Sequence, residues 1–393
     1  MRVLMVSAMW PPRVAGGAEL YASGLADRLG ELGHEIAVVT LGVPGDRVVA
    51  TVRPFGYQPD EYAEQGRLRR SAYHVADLYR FATRRVLVEA VARFRPDVVH
   101  THGLSGLSTS ALTTPSALGL PHVHTVHDYW LLCERLGRVR RDGTPCESIC
   151  TSCAAWSRTR EALVRRHNPD ILLVGSRDAA NEHTERLAWT RGRTRVVHPP
   201  VPEVPPPPAR SRGEGTAPVF GYLGRLDAAK GIRTLVAAFG SAPLGGSTLV
   251  VGGEGPLRGE LEAEAHARVR FEGWLDGRRK DEFFDAIDCL VVPSECRELA
   301  GLVVLEARAR QLPVIGADIG GIPELVAPES RPLLFRAGDS TDLVRVLTET
   351  ARDPARYRGS AASARGTWPE HLDAVIEAYA DAATAVDDAR AGA

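Results

Sequence analysis

Lysine is almost missing from this chain. Lys and Arg together number 48 of 393 residues, yet Lys stands only at positions 230 and 280. Arg and Lys differ in shape and hydrogen bonding, so each surviving Lys is worth a question; Lys280 reads as an ordinary surface residue. Net charge is missing too: 49 acidic residues leave a formal charge of −1. That excludes the basic surplus of a nucleic-acid binder. No apolar run approaches the ~18–20 residues of a membrane span. The start, Met1–Trp10, has no basic lead and no small-residue cleavage site, and it runs into Pro11-Pro12. It reads as a buried strand rather than a signal core, which gives a cytoplasmic expectation. Disulfides are then not expected, and the six cysteines need another explanation.

What is present suits an ordinary globular chain. Hydrophobic residues are 44% and charged residues 25%, and the length suggests two or three domains with real cores. Short continuous apolar runs recur with helical segments between them. In the first half they are Val3–Val6, Ile36–Thr40, Val98–His100, Val123–Val126, Ile171–Val174 and Val196–Val197. In the second they are Val219–Leu223, Thr248–Val251, Val269–Phe271, Leu290–Val292, Val314–Ile315 and Leu333–Phe335. Such runs are what strands covered on both faces look like. Ala18–Leu32, Ile232–Phe239, Lys280–Ala286 and Leu302–Arg310 have helical composition. The alternation, made twice, predicts an α/β protein of two doubly wound Rossmann-like domains facing a central cleft. The domains are read as residues 1–200 and 218–393, joined by a Pro-rich linker over 201–217, with the last helix returning to the first domain. The Ala/Asp-rich tail Asp381–Ala393 reads as a fraying end.

In the second half, Gly224-Arg225-Leu226-Asp227-Ala228-Ala229-Lys230-Gly231 follows a strand and opens a helix. It presents two cations where an anion would meet a helix N-terminus. Farther on, Glu298 and Glu306 flank the start of another helical segment, eight residues apart. If the segment is mostly helical, that is about 12 Å of rise and roughly 80° of rotation. One carboxylate sits at the helix mouth and the other two turns deeper, suited to hydroxyl groups on either side of a diphosphate. Gly320-Gly321-Ile322-Pro323-Glu324 then reads as a Gly-rich turn opening a further helix.

The order of these motifs, with Gly252-Gly253-Glu254-Gly255-Pro256 and Pro313-Val314-Ile315, resembles the retaining glycosyltransferases of family four, whose fold is GT-B. The resemblance implies a nucleoside-diphosphate sugar as donor, with UDP or GDP as the carrier. By it, Arg225 and Lys230 hold the diphosphate and Glu306 binds the ribose hydroxyls. Glu298 binds the donor sugar at the reaction centre, helped by amides around Gly301 and Leu302. The acceptor would be a small molecule or glycan hydroxyl, in bacterial natural-product or glycan and glycolipid biosynthesis. The sequence has no Asp-x-Asp motif, so no metal or other cofactor is expected for catalysis. The alternatives are a non-catalytic sugar-nucleotide-binding protein and another GT-B enzyme such as a sugar-nucleotide epimerase. A nicotinamide dehydrogenase fails, because Gly253-Glu254-Gly255 is followed by Pro256-Leu257-Arg258 and not by the required spacing.

In the first half, Gly16-Gly17 stands where a strand meets a helix, a place for free N–H groups to face an anion. Within the family this loop faces the donor phosphates. His127 follows the strand His122–Val126, at the strand end where doubly wound folds place ligands. The resemblance puts such a His beside the donor sugar. His100 and His102 read as ordinary turn histidines. Cys133, Cys146, Cys150 and Cys153 are spaced C-x12-C-x3-C-x2-C over a polar loop, which suggests a structural zinc on four thiolates, with an iron–sulfur cluster, disulfides or free thiols as the alternatives. Cys289 and Cys296 read as buried or incidental thiols. Arginines from Arg67 to Arg95 stud a helical region near Leu78, Tyr79 and Phe81. A solvated face is the favoured reading over peripheral contact with anionic lipid.

Overall fold

The computed structural model describes residues 1–14, 16–140, 144–146, 148–204, 216–357 and 366–391. Most of the Pro-rich linker, residues 205–215, lies outside the described residues, as do the last two residues of the tail. The chain divides into two compact units. The first comprises Met1–Gly137, Ser148–Val197 and Pro369–Ala393, and the second Arg138–Glu147 and His198–Trp368.

The strands of the first unit are β1 (Arg2–Ser7), β2 (Glu35–Leu41), β3 (Val48–Val52), β4 (Val98–Thr101), β5 (His122–Val126), β6 (Ile171–Val174) and β7 (Thr194–Val196). They form a seven-stranded sheet in the order β3-β2-β1-β4-β5-β6-β7. Every pairing is parallel. Its helices are α1 (Gly17–Glu31), α2 (Arg67–Ala76), α3 (Phe81–Phe94), α4 (Ser110–Ala117), α5 (Thr151–Val164) and α6 (Arg177–Arg186).

The second unit has β8 (Val219–Leu223), β9 (Thr248–Gly252), β10 (Val269–Gly273), β11 (Cys289–Val292), β12 (Val314–Ala317) and β13 (Leu334–Phe335). These form a six-stranded parallel sheet in the order β10-β9-β8-β11-β12-β13. Its helices are α7 (Ile232–Ser241), α8 (Arg258–Glu264), α9 (Gly277–Ala286), α10 (Leu302–Ala309), α11 (Ile322–Leu325) and α12 (Ser340–Arg352). Helix α13 (Trp368–Ala391) closes the chain.

The apolar runs are explained by burial on both faces. In β11, Cys289 and Val291 join the core that holds Phe220, Phe239 and Phe335. Leu290 and Val292, pointing the other way, join Phe283, Phe284 and Leu305. Successive strand residues thus enter opposite cores, and each such side chain contributes about 1.5–3 kcal/mol of hydrophobic burial. Gly221 in β8 lets α9 approach, since an added Cβ would lie 2.6 Å from Ile287.

Two expectations are corrected here. The tail does not fray at Asp381: α13 continues to Ala391, with Val375, Tyr379 and Ala382 buried. Asp381 pairs with Arg195, and Arg390 donates to the carbonyl of Gly119 at 2.8 Å. Alanine is the best helix former and its small side chain packs closely, so an Ala-rich end need not be loose. The strand β3 was not visible as an apolar run, because it lies at a sheet edge and alternates in burial.

In each sheet the strand order reverses once, beside β1 and β4 in the first unit and beside β8 and β11 in the second. The C-terminal ends of those strands are where an open α/β sheet binds ligands.

Candidate active site

In the second unit, the loops after β8 and β11 hold each other by backbone. The carbonyl of Ala229 accepts the amides of Glu295 and Cys296, at 2.9 and 3.1 Å. Gly231 has φ +65°, and an added Cβ would lie 1.8 Å from the carbonyl oxygen of Pro293. Gly253, at φ +127°, approaches Gly224 in the same way, with 1.9 Å to its carbonyl oxygen. These glycines of the sequence motifs are therefore contact points between loops, where only the absence of a side chain permits the approach.

That contact delivers Lys230 to Glu298. Lys230 Nζ donates to Glu298 Oε1 at 2.6 Å, and Ser294 Oγ donates to the same oxygen at 2.8 Å. Burial is the largest single influence and disfavours the Lys230 ammonium, but Glu298, Cys296 and Asp227 together outweigh it and hold its pKa above the ordinary value. Asp227 Oδ1 accepts the Lys230 amide at 3.1 Å and caps the short turn. Arg225, 72% exposed along its side chain, pairs with Asp227 through Nε. The turn at Gly320-Gly321 fixes Glu298 from the other side: the Gly321 amide donates to the Glu298 carbonyl at 2.7 Å.

Helix α10 starts at Leu302, with Gly301 at its N-cap. Glu298 thus precedes the helix, and the run from Glu298 to Glu306 is helical only from Leu302 onward. The anchored Glu298 backbone and the bend at Gly301 delay helix entry. Among the described residues, the amides of Gly301 and Leu302 donate no hydrogen bond. They are the open donors every helix start leaves, and they suit an anion. Glu306 lies within α10, and its Oε1 accepts Lys280 Nζ from α9 at 2.8 Å. Lys280 is therefore not an ordinary surface residue.

In the first unit, His127 follows β5 directly. His102 Nδ1 and His127 Nε2 are 3.1 Å apart, and the two rings stack with centroids 5.3 Å apart. Tyr21 of α1 meets the His127 ring edge-on at 5.2 Å. His100 is not a turn histidine, whereas His102 follows the end of β4 and is buried there. His100 lies inside β4, its ring nitrogens 2.8 Å from Tyr379 Oη of α13 and 2.7 Å from Thr125 Oγ1. His122 and His124 both reach Thr101 Oγ1, at 3.0 and 2.9 Å. Burial lowers the pKa of every one of these, to about 4 for His127 and about 3 for His122. They are neutral at pH 7. A cavity of about 10 Å³, room for one water, is lined by His102, His124, His127 and Asp128. The buried His102 Nε2 makes no hydrogen bond.

The loop after His127 is held from below. Asp77 Oδ2 accepts Trp130 Nε1 at 2.6 Å, and its Oδ1 accepts the Gly106 amide at 2.7 Å. Arg160, 1% exposed, lies 3.5 Å from Asp77 and stacks over the Trp130 ring at 4.6 Å. Burial pushes Asp77 and Asp128 up to about 6.

One further expectation changes, at the start of α1. The Gly16 amide is not free for an anion, because Glu19 Oε2 accepts it at 2.8 Å at the start of α1, where Gly17 is the first helical residue. Of the four cysteines, Cys133 and Cys153 meet, with Sγ atoms 3.7 Å apart; Cys146 is half-buried and Cys150 exposed. Among the described residues, no three His, Cys, Asp or Glu side chains are placed to hold a metal ion. A zinc at these cysteines remains an expectation from their spacing, and no step is assigned to one. Cys289 and Cys296 are buried. The arginine-studded region is α2 and α3, which leave Leu68 and Phe81 exposed. Among the described residues, no helix is long and apolar enough to cross a membrane.

Sequence reasoning missed Tyr21, Ser294 and the role of Lys280. Lysine scarcity was the available signal for Lys280; Tyr21 and Ser294 carry none.

Residues 15–203 match the model of the family described as Glycosyltransferase Family 4, and residues 217–353 that of Glycosyl transferases group 1. A sulfoquinovosyl transferase of Arabidopsis thaliana is 28% identical over 363 residues, which cover 85% of this chain and 64% of the relative. The chain thus spans less than two thirds of that relative's length. The structure of a sucrose-phosphate synthase from Thermosynechococcus elongatus superposes with a TM-score of 0.74 at 20% identity, covering 98% of this chain and 99% of the other. Anabaena HepE, solved in complex with UDP and glucose, gives 0.64 at 17% identity, covering 96% and 98%.

Proposed function

The chain belongs to the family-four glycosyltransferases of the GT-B type, and we propose that it moves a sugar from a nucleoside-diphosphate donor to an acceptor hydroxyl with retention at the anomeric carbon. The observation that carries this reading is the Lys230–Glu298 pair at the switch point of the second sheet, beside the open amides of α10. A cation, helix-start amides and a carboxylate are what a diphosphate joined to a polyhydroxyl sugar would need. HepE, a structural relative, binds UDP and glucose, which supports UDP as the first carrier to try.

In this reading Lys230 and Arg225 take the diphosphate, Glu298 accepts hydrogen bonds from sugar hydroxyls, and Glu306 accepts those of the ribose. His127, neutral through burial, offers a ligand a dipole rather than a cation. The bond from the anomeric carbon to the diphosphate oxygen breaks, and the acceptor oxygen bonds to that carbon on the face just vacated. The acceptor proton passes to the departing diphosphate. Charge grows on that leaving group, so the cations and amides aimed at it lower the barrier. The two cations supply the neutralisation a divalent metal would otherwise give. The acceptor is a small molecule or glycan hydroxyl.

Proton NMR of the first-formed product, from an α-configured UDP- or GDP-sugar, tests this reading. An α-linked product is expected, and a β-linked one contradicts retention.

A further inference from the structure

We infer that Lys280 is a positioning residue for donor recognition: it holds one oxygen of Glu306 and leaves the other to read the ribose hydroxyls. This rests on the reading that Glu306 binds the ribose.

The geometry is specific. Lys280 lies in the first turns of α9 and Glu306 within α10, and Nζ meets Oε1 at 2.8 Å. Among the described residues, Glu306 Oε2 accepts no hydrogen bond, and the carboxylate stays partly open to solvent, at 21% exposure. A second contact keeps the helices in register. Arg310 of the α10 C-terminus pairs with Asp281 of α9, and its guanidinium lies 4.4 Å over the Phe284 ring.

The choice of cation is the second observation. The chain uses Arg almost everywhere, yet both of its lysines sit on the two site glutamates, Lys230 on Glu298 and Lys280 on Glu306. Arginine presents a planar fork that engages both oxygens of a carboxylate, whereas an ammonium is a point charge that takes one. A glutamate clamped by Arg has both oxygens occupied. A glutamate held by Lys is oriented and ionised, with one oxygen left to accept from a ligand. An ordinary interhelical ion pair at this exposure contributes little and would work equally well with Arg.

The test compares the affinity of the full chain, by calorimetry, for UDP and GDP and for their 2′-deoxy and 3′-deoxy counterparts. Wild type should prefer the ribose form by about tenfold or more, the scale of one hydrogen bond to a charged group. Glu306→Gln should collapse that preference, and if it does not, the ribose reading of Glu306 fails. With that control met, Lys280→Met and Lys280→Arg should each shrink the preference at least about threefold, raising donor KM more than they lower kcat. Asp281→Asn, which breaks only the neighbouring interhelical pair, should lower the melting temperature and keep the preference. A wild-type preference in both Lys280 variants, or full rescue by Arg, overturns the positioning role.

Discussion

Lys230 Nζ and Glu298 Oε1 stand 2.6 Å apart, joining the loop after β8 to the loop after β11 at the point where the second sheet reverses. A half-buried ammonium kept charged by its carboxylate is a cation stored for an anionic ligand. Lys230→Ala should therefore lower kcat/KM by about 10²–10³-fold, the scale of losing one transition-state donor. Lys230→Arg should restore only part, because its fork locks onto both Glu298 oxygens. Steady-state nucleotide release measures both, and a loss under fivefold for the Ala variant contradicts the assignment.

The loop contact at Gly231 gives a backbone prediction. Its φ of +65° and the 1.8 Å approach to Pro293 leave no space for a Cβ. Gly231→Ala should cost at least about 2 kcal/mol in urea unfolding, from strain and displacement together. Gly259 in α8 has nothing within 4 Å of its would-be Cβ. Gly259→Ala should instead stabilise by about 0.5–1 kcal/mol, the helix-propensity difference.

Beneath the His127 loop, Asp77 and Arg160 form an ion pair only 3% and 1% exposed. Removing one partner leaves a buried charge uncompensated. Asp77→Ala should destabilise the protein by about 3–5 kcal/mol. Differential scanning calorimetry checks this, and a change below 1 kcal/mol would show that the pair is dispensable.

The buried histidines predict acid sensitivity. Their folded pKa values lie below the unfolded value near 6.5, so below that pH only the unfolded chain takes up protons. Each of the five then subtracts about 1 kcal/mol between pH 6.5 and 5.5, and more until its folded pKa is reached. Asp77 and Asp128 act oppositely: with folded values near 6, they bind protons first in the folded state and add stability as pH falls toward 4. Five groups outweigh two, so stability should fall steeply below pH 6.5. Urea midpoints at pH 7.5, 6.5 and 5.5 read this directly, and a flat profile contradicts it.

Much of the fold was legible because parallel strands buried on both faces write themselves as unbroken apolar runs. Strand β3 escaped because an edge strand alternates. The second-unit motifs were legible through their glycines, which mark backbone contacts such as Gly231 with Pro293. What stayed hidden depends on tertiary contact. Nothing in the local sequence tells that His100 lies between Tyr379 and Thr125. The cysteine spacing suggested a metal on four thiolates, but spacing alone does not tell that Cys133 and Cys153 meet. Lys280 was visible as a rarity, but its partner lies 26 residues away on another helix.

The central claim, a nucleoside-diphosphate sugar donor used through Lys230 and Glu306, is tested most directly by nucleotide release. Wild type, Lys230→Ala and Glu306→Ala are incubated with a panel of UDP- and GDP-sugars and hydroxyl acceptors. The account predicts acceptor-dependent release of the nucleoside diphosphate by wild type, reduced at least about tenfold in both variants. Release unaffected by both substitutions, or no release from any donor by wild type, would contradict it.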